Sequence, residues 1–342
     1  MRRQLASDNY AGVCPEAMAA LADANRLHAD SYGEDPWTAE AADHVRRVLD
    51  ADCQVFFVFN GTAANALALA SLCAPYHGVL AHEAAHLETD ECGAPELFSG
   101  GAKVLTLRGA AGKLWPADVE RAVRARSDLH YRKLRAVSVA QSTESGTLYT
   151  PAELQALAAA THALGLKLHL DGARFANAVA ALGVAPRELS SQAGVDVMSF
   201  GLTKDGLAAG EAVVFFDRTL AADFEYRCKQ AGQLASKMRF ITAPWTAMLR
   251  DGAWLTRARH ANAMAAELAA RLRAVPGVSL VHPVEANALF VRFPAGVPEK
   301  LWARGWHFYD FAVVGGMRLM CAWDTQLEDV DAFVADLRAA LG

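Results

Sequence analysis

Leu166-Lys167-Leu168-His169-Leu170-Asp171-Gly172-Ala173-Arg174 is an apolar run that ends in a carboxylate, and Val195-Asp196-Val197-Met198-Ser199-Phe200-Gly201-Leu202-Thr203-Lys204 is a second that ends in a lysine. Each reads as a strand that delivers one reactive side chain at its carboxyl end, where open α/β sheets place their ligands. Asp171 and Lys204 are the pair that pyridoxal phosphate needs: a carboxylate keeps the pyridine nitrogen protonated, and a lysine amine holds the aldehyde as a Schiff base. An ordinary sheet surface would offer the same two residues, so the rest of the chain has to decide.

The chain has 342 residues, 53% hydrophobic and 21% charged, with a net charge of −5. That length buries a large core and suggests two domains. The acidic balance gives no reason to expect nucleic acid or a membrane surface as partner. The basic stretch from Arg121 to Arg135 reads as a solvated helix and loop. Cys14, Cys53, Cys73, Cys92, Cys228 and Cys321 are scattered without metal or disulfide spacing, which fits a reducing cytoplasm. The N-terminus turns polar at Gln4 to Asn9 before an apolar targeting segment can form. A chargeless stretch from Cys53 to Ala81 is long enough to span a bilayer, but Asn60-Gly61-Thr62 splits it into a strand and a helix.

Apolar runs alternate with alanine-rich segments from Val55 to Phe216, the pattern of a mostly parallel sheet covered on both faces. Strands are predicted at Val55–Phe59, Gly78–Ala81, Lys103–Leu107, Ala136–Ala140, Leu166–Leu170, Val195–Phe200 and Ala212–Phe216. Thr150-Pro151-Ala152-Glu153 opens a helix predicted to end at Leu164, with an N-cap, an N1 proline and a capping-box acid. After Pro244 the texture changes to a long helix (Trp254–Ala274), short strands at Val278–Val281, Ala288–Phe293 and Met317–Cys321, and a terminal helix at Leu327–Leu341. The expected division is an N-terminal segment (1–30), a large cofactor-binding domain (31–245) and a small α+β domain (246–342).

His82-Glu83-Ala84-Ala85-His86 is a literal HExxH, which on a helix would present two imidazoles to zinc. Its longer form fails: Thr89 stands where the glycine belongs, and the third histidine is missing. It also follows a short strand, so zinc is a lesser reading beside histidines that pack or cap. Asn60-Gly61-Thr62 at a helix start offers backbone N–H groups to a phosphate. No Walker, GxGxxG or GxSxG spacing occurs, which weakens nucleotide and serine-hydrolase readings.

Ser7-Asp8-Asn9-Tyr10, Tyr32-Gly33-Glu34-Asp35-Pro36, Asn60-Gly61-Thr62-Ala63-Ala64-Asn65, Ala84-Ala85-His86, Asp90-Glu91-Cys92-Gly93-Ala94, Leu170-Asp171-Gly172-Ala173-Arg174, Thr203-Lys204-Asp205-Gly206 and Met317-Arg318-Leu319 occur in a characteristic order and spacing. In these the chain resembles the L-threonine aldolases, most of all the low-specificity and phenylserine-type bacterial members, over nearly its whole length. The resemblance implies a fold-type-I, aspartate aminotransferase-like pyridoxal phosphate enzyme, with a large α/β domain and a smaller α+β domain. It also implies a homotetramer built from dimers that share their active sites.

Carried over by position, the resemblance makes Lys204 the Schiff-base lysine, Asp171 the partner of the pyridine nitrogen and His86 the imidazole stacked on the ring. Gly61, Thr62, Arg174 and Thr203 would lie at the cofactor, with Lys229 and Arg239 near its phosphate. Ser7, Tyr32, Arg174 and Arg318 would bind the substrate, the arginines by gripping its carboxylate. Two departures matter. Ser142-Thr143-Glu144-Ser145 stands where many members carry a histidine, and Gly201-Leu202-Thr203-Lys204 replaces Ser-Leu-Ser-Lys. His86, Asp90 and Glu144 therefore all remain candidates to handle the substrate hydroxyl. The implied reaction cleaves L-threonine, L-allo-threonine or a phenylserine to glycine and an aldehyde. Another pyridoxal phosphate lyase or racemase is the alternative within this class, and a zinc hydrolase or a non-catalytic carrier lies outside it.

Overall fold

The structure is a computed structural model that describes residues 4–311 and 314–342. The first three residues of the polar N-terminus lie outside the described ones. Seven strands form the main sheet: β1 (Gln54–Val58), β2 (His77–His82), β3 (Lys103–Leu107), β4 (Lys133–Ala140), β5 (Lys167–Gly172), β6 (Val197–Gly201) and β7 (Glu211–Phe215). Their order is β1-β7-β6-β5-β4-β2-β3. All seven strands predicted from the sequence are present, with ends moved by a few residues. Central strands β6 and β7 are buried along their whole length, as expected of a sheet covered on both faces.

Pairing is parallel from β3 across to β6. Strand β7 alone runs the other way, antiparallel to both β6 and β1. Its first residue, Glu211, therefore lies beside the last residues of its neighbours, opposite Gly201 and Val58. The chargeless stretch contains β1 and the helix Gly61–Leu72, whose residues from Ala63 to Ala70 are all buried. No helix of the described residues is long and apolar enough to cross a membrane.

A second sheet is built from β8 (Ser279–Leu280), β9 (Ala288–Arg292), β10 (Tyr309–Phe311) and β11 (Gly316–Met320), in the order β10-β11-β9-β8. Strand β10 was not anticipated, because Tyr309-Asp310-Phe311 is too short to show a period. The helix Ala253–Arg273 joins the two layers: Trp254 and Ala258 belong to the large core, and Ala265, Leu268 and Leu272 to the small one. The N-terminal segment crosses to the second sheet, where the Leu5 N–H donates to His307 O at 2.8 Å and Leu5 O accepts from the Met320 N–H at 2.8 Å. The helix opened by Thr150 runs Pro151–Ala163 with the predicted capping box. All six cysteines are free.

Candidate active site

Asp171 and Lys204 meet at the carboxyl edge of the main sheet because β5 and β6 are parallel neighbours, with Asp171 in register with Ser199. Asp171 is buried and accepts two hydrogen bonds, from the Ala173 N–H to Oδ1 at 3.0 Å and from Asn65 Nδ2 to Oδ2 at 2.8 Å. Burial opposes its ionisation, but the charges of Lys204 and His86 outweigh it and hold the carboxyl below the ordinary range. Below it on β5, His169 is enclosed between the hydroxyls of Ser138 (2.8 Å) and Ser199 (3.1 Å), and burial pushes its pKa down to about 4. It is a neutral spacer.

A continuous chain of polar contacts leads outward from Asp171. Asn65 Nδ2 also donates to Glu91 Oε1 at 2.8 Å, and the same oxygen lies 2.9 Å from His86 Nδ1. The bond to Glu91 raises the pKa of His86, and burial raises that of Glu91. Asn65 Oδ1 and Glu91 Oε2 are buried with no hydrogen-bond partner among the described residues.

On the other side, Arg174 forms a two-toothed pair with Asp8, Nε to Oδ2 at 2.7 Å and Nη2 to Oδ1 at 2.9 Å. Asn287 Nδ2 donates to the same carboxylate at 3.1 Å. Arg318 donates to Ala6 O at 3.2 Å, and its guanidinium stands over the rings of Tyr309 (5.6 Å) and Phe311 (5.1 Å). Its Nε is buried without a partner among the described residues. Burial and the neighbouring Arg174 depress its pKa.

These groups surround a cleft of about 480 Å³. Ser7, His86, Asp90, Glu144, Arg174, Lys204 and Arg318, all singled out in the sequence, line it together. Asn9, Tyr10, Tyr309, Asp310 and Phe311 complete its lining, and the Tyr10 and Tyr309 hydroxyls are hydrogen-bonded there. Gly61 and Thr62 open the helix after β1, with Asn60 capping the Ala63 N–H at 2.9 Å. That turn stays near Lys204 through Phe59 O, which accepts from the Gly210 N–H at 3.0 Å; the Thr203 hydroxyl approaches Gly210 O at 3.5 Å.

Tyr32, Lys229 and Arg239 do not line the cleft of a single chain. They lie together elsewhere: Lys229 Nζ sits 4.5 Å over the Tyr32 ring, and the Tyr32 N–H donates to Ser236 O close to Arg239. The HExxH sequence is not one helix face. His82 ends β2 and His86 starts a four-residue helix. Both ring nitrogens of His82 are engaged, with Gly109 O (2.9 Å) and the Ala84 N–H (3.0 Å).

Asp8, Asn65, Glu91 and Glu211 gained no role at this site from the sequence. Asn65 carries the clearest signal, a lone amide in an otherwise apolar helix. Glu211 carries another, a charge opening the apolar strand Ala212–Phe215. The Asp8–Arg174 pair, 166 residues apart, carries none.

The open, mostly parallel sheet with its lysine and carboxylate on adjacent strand ends defines a fold-type-I, aspartate aminotransferase-like α/β protein. The family model described as beta-eliminating lyase matches residues 4–295, and the chain belongs to that family. A low specificity L-threonine aldolase of Pseudomonas aeruginosa is 56% identical over 340 residues, covering 99% of this chain and 98% of its own. One from a Pseudomonas species is 55% identical over 339 residues, covering 99% and 98%. Among solved structures, a threonine aldolase of Leishmania major superposes with a TM-score of 0.93 at 29% identity, covering 99% of this chain and 100% of its own.

Proposed function

We propose that this chain is a pyridoxal 5'-phosphate-dependent L-threonine aldolase that cleaves L-threonine, L-allo-threonine and related L-β-hydroxy-α-amino acids, phenylserine included, to glycine and an aldehyde. The observation that carries the reading is the convergence of Lys204 with the Asn65-anchored carboxylate of Asp171 at one end of the sheet. The donor set fits the cofactor. Asp171 is held ionised as a partner for a pyridinium N–H, the N–H groups of Gly61 and Thr62 start a helix that suits a phosphate, and Lys204 supplies the amine. When bound, the cofactor supplies an electron sink for the pair left on Cα as the Cα–Cβ bond breaks.

The chain's own residues supply orientation and proton handling. Arg318, whose Nε has no partner among the described residues, and Arg174, anchored by Asp8, clamp the substrate carboxylate. That clamp fixes which bond at Cα stands ready to break. Glu91 bonds His86 Nδ1, so in its neutral form His86 keeps Nε2 as an acceptor for the β-hydroxyl proton; Asp90 and Glu144 line the same cleft. We place the division between domains at 245/246 and the enzyme in the cytoplasm. We also assign it a homotetrameric state in which Tyr32, Lys229 and Arg239 serve a neighbouring subunit's site.

The test is a visible spectrum of purified protein with and without glycine, together with glycine release from threonine. Lys204→Ala is expected to lose the cofactor band and at least about a thousandfold of kcat. A variant with parental activity and spectrum overturns the reading. Ammonia and a keto acid in place of glycine and aldehyde would mark a β-eliminating lyase.

A further inference from the structure

Glu211 is a charged residue at the head of a strand that is otherwise Ala-Val-Val-Phe, and it is buried. Burying a carboxyl is unfavourable unless something compensates. The reversed direction of β7 brings it to the carboxyl edge of the sheet, opposite Gly201 and immediately beneath the turn that carries Lys204. Its Oε2 accepts from the Leu202 N–H at 3.0 Å. Gly201 makes room for it: a Cβ there would stand 3.0 Å from Glu211 Oε2. The neighbouring Thr203 hydroxyl favours the ionised form of the carboxyl. The charged groups facing it are Lys204 and Asp205 from the turn and Asp171 from β5, while β1 offers only Val58.

We propose that Glu211 is a positioning residue for Lys204, fixing the 202–204 turn through the Leu202 N–H and, when ionised, setting a negative charge beside that turn. This rests on the reading of Lys204 as the residue that carries the cofactor. The Leu202 bond alone does not require a carboxylate, since an amide oxygen would accept it equally. What only a carboxylate adds is a titratable negative charge under the lysine. Burial pushes the Glu211 carboxyl up to about 7, against the opposing pull of Thr203 and Lys204, so its charge develops near neutrality. Asp205 cannot substitute for it. Burial, with Asp8 and Glu211 nearby, raises that carboxyl well above its ordinary value, so its charge is disfavoured where it stands.

The experiment is a pH titration of the visible absorbance of the holoenzyme from pH 6 to 10, for the parent and Glu211→Gln, with cofactor content measured after alkaline denaturation. Glutamine keeps the volume and the acceptor for Leu202 and removes only the charge. The midpoint is expected to fall by about one unit, because the protonated nitrogen loses a neighbouring anion. A loaded Glu211→Gln protein whose titration coincides with the parent's, or shifts upward, overturns the proposal. If that variant does not fold or load, Glu211→Asp decides. It withdraws the charge by one methylene and is expected to shift the midpoint down by a smaller amount, and an unchanged midpoint again overturns the proposal. Lys204→Ala separates the two readings: a visible band that survives this change removes the assignment of Lys204, whereas loss of the band with an unmoved Glu211→Gln titration removes Glu211 alone.

Discussion

Asp8 holds Arg174 by two nearly parallel hydrogen bonds of 2.7 and 2.9 Å, so one of the two arginines at the substrate cleft is already gripped by a carboxylate of the protein. The pair is buried, and each partner favours the other's charge: burial opposes both ionisations, but Asp8 is held below and Arg174 above its ordinary range. The anchored fork fixes the orientation of Arg174 where it lines the cleft.

Asp8→Ala should therefore damage both stability and activity. Removing one partner of a buried pair costs roughly 3–5 kcal/mol because the other charge is left uncompensated. Asn287 loses one of its two acceptors as well. The expected result is a lower thermal midpoint together with a drop of at least about tenfold in kcat/KM. Arg174→Lys should show the same kinetic loss, since an ammonium cannot form the fork. Parental kinetics in both variants would remove Arg174 from the site.

Acid should weaken the fold through His169. Its folded pKa of about 4 lies below the ordinary 6.5, so the unfolded chain binds the proton first as pH falls. The stabilising contribution is complete above about pH 6.5 and is lost progressively down to about pH 4. Urea unfolding of the parent at pH 7 and pH 5 should give a falling midpoint, and His169→Gln should flatten that dependence. An equal slope in the variant would assign the acid sensitivity elsewhere.

Dialysis against a chelator should leave turnover unchanged. His82 spends both ring nitrogens on Gly109 and Ala84, and His86 bonds Glu91, so the two do not converge on one ion. Activity lost to the chelator and restored by zinc alone would revive the hydrolase reading.

Mixing two inactive proteins tests the shared site. Lys204→Ala and Arg239→Ala, unfolded and refolded together, should recover part of the parental activity, because some mixed dimers hold one intact site. Arg239 Nε is buried with no partner among the described residues, as expected of a group waiting for a ligand or a neighbouring chain. Mixed dimers that form without any activity would return these residues to their own chain.

The sheet was legible in the sequence because its central strands are buried and read as largely apolar runs that end near Asp171 and Lys204. The reversal of β7 was not, since Ala212–Phe216 has the same composition whichever way it runs. Local signals also succeeded for the Thr150 cap, where donor and acceptor are three residues apart. The contacts that tune the site join residues far apart in the chain: Asn65 to Asp171, Asp8 to Arg174, Glu211 to the Lys204 turn. Spacing records which residue types are present and says nothing of which distant partner each will meet. Glu91 shows the limit from the other side. It stands only five residues after His86, yet it gained no role from the sequence, and the fold makes it the histidine's hydrogen-bond partner.

The pairing of Leu5 with His307 and Met320, and of Asp8 with Asn287, joins the earliest described part of the polypeptide to some of the latest. Synthesis proceeds in one direction, and domains form in the order in which they emerge. A growing chain can complete the main sheet, with Asp171 and Lys204 in place, while the strands that seat Ser7 and Asp8 are still unmade. During that interval the lysine and its carboxylate exist without a finished substrate clamp, and the cleft closes over them once the second sheet has been made.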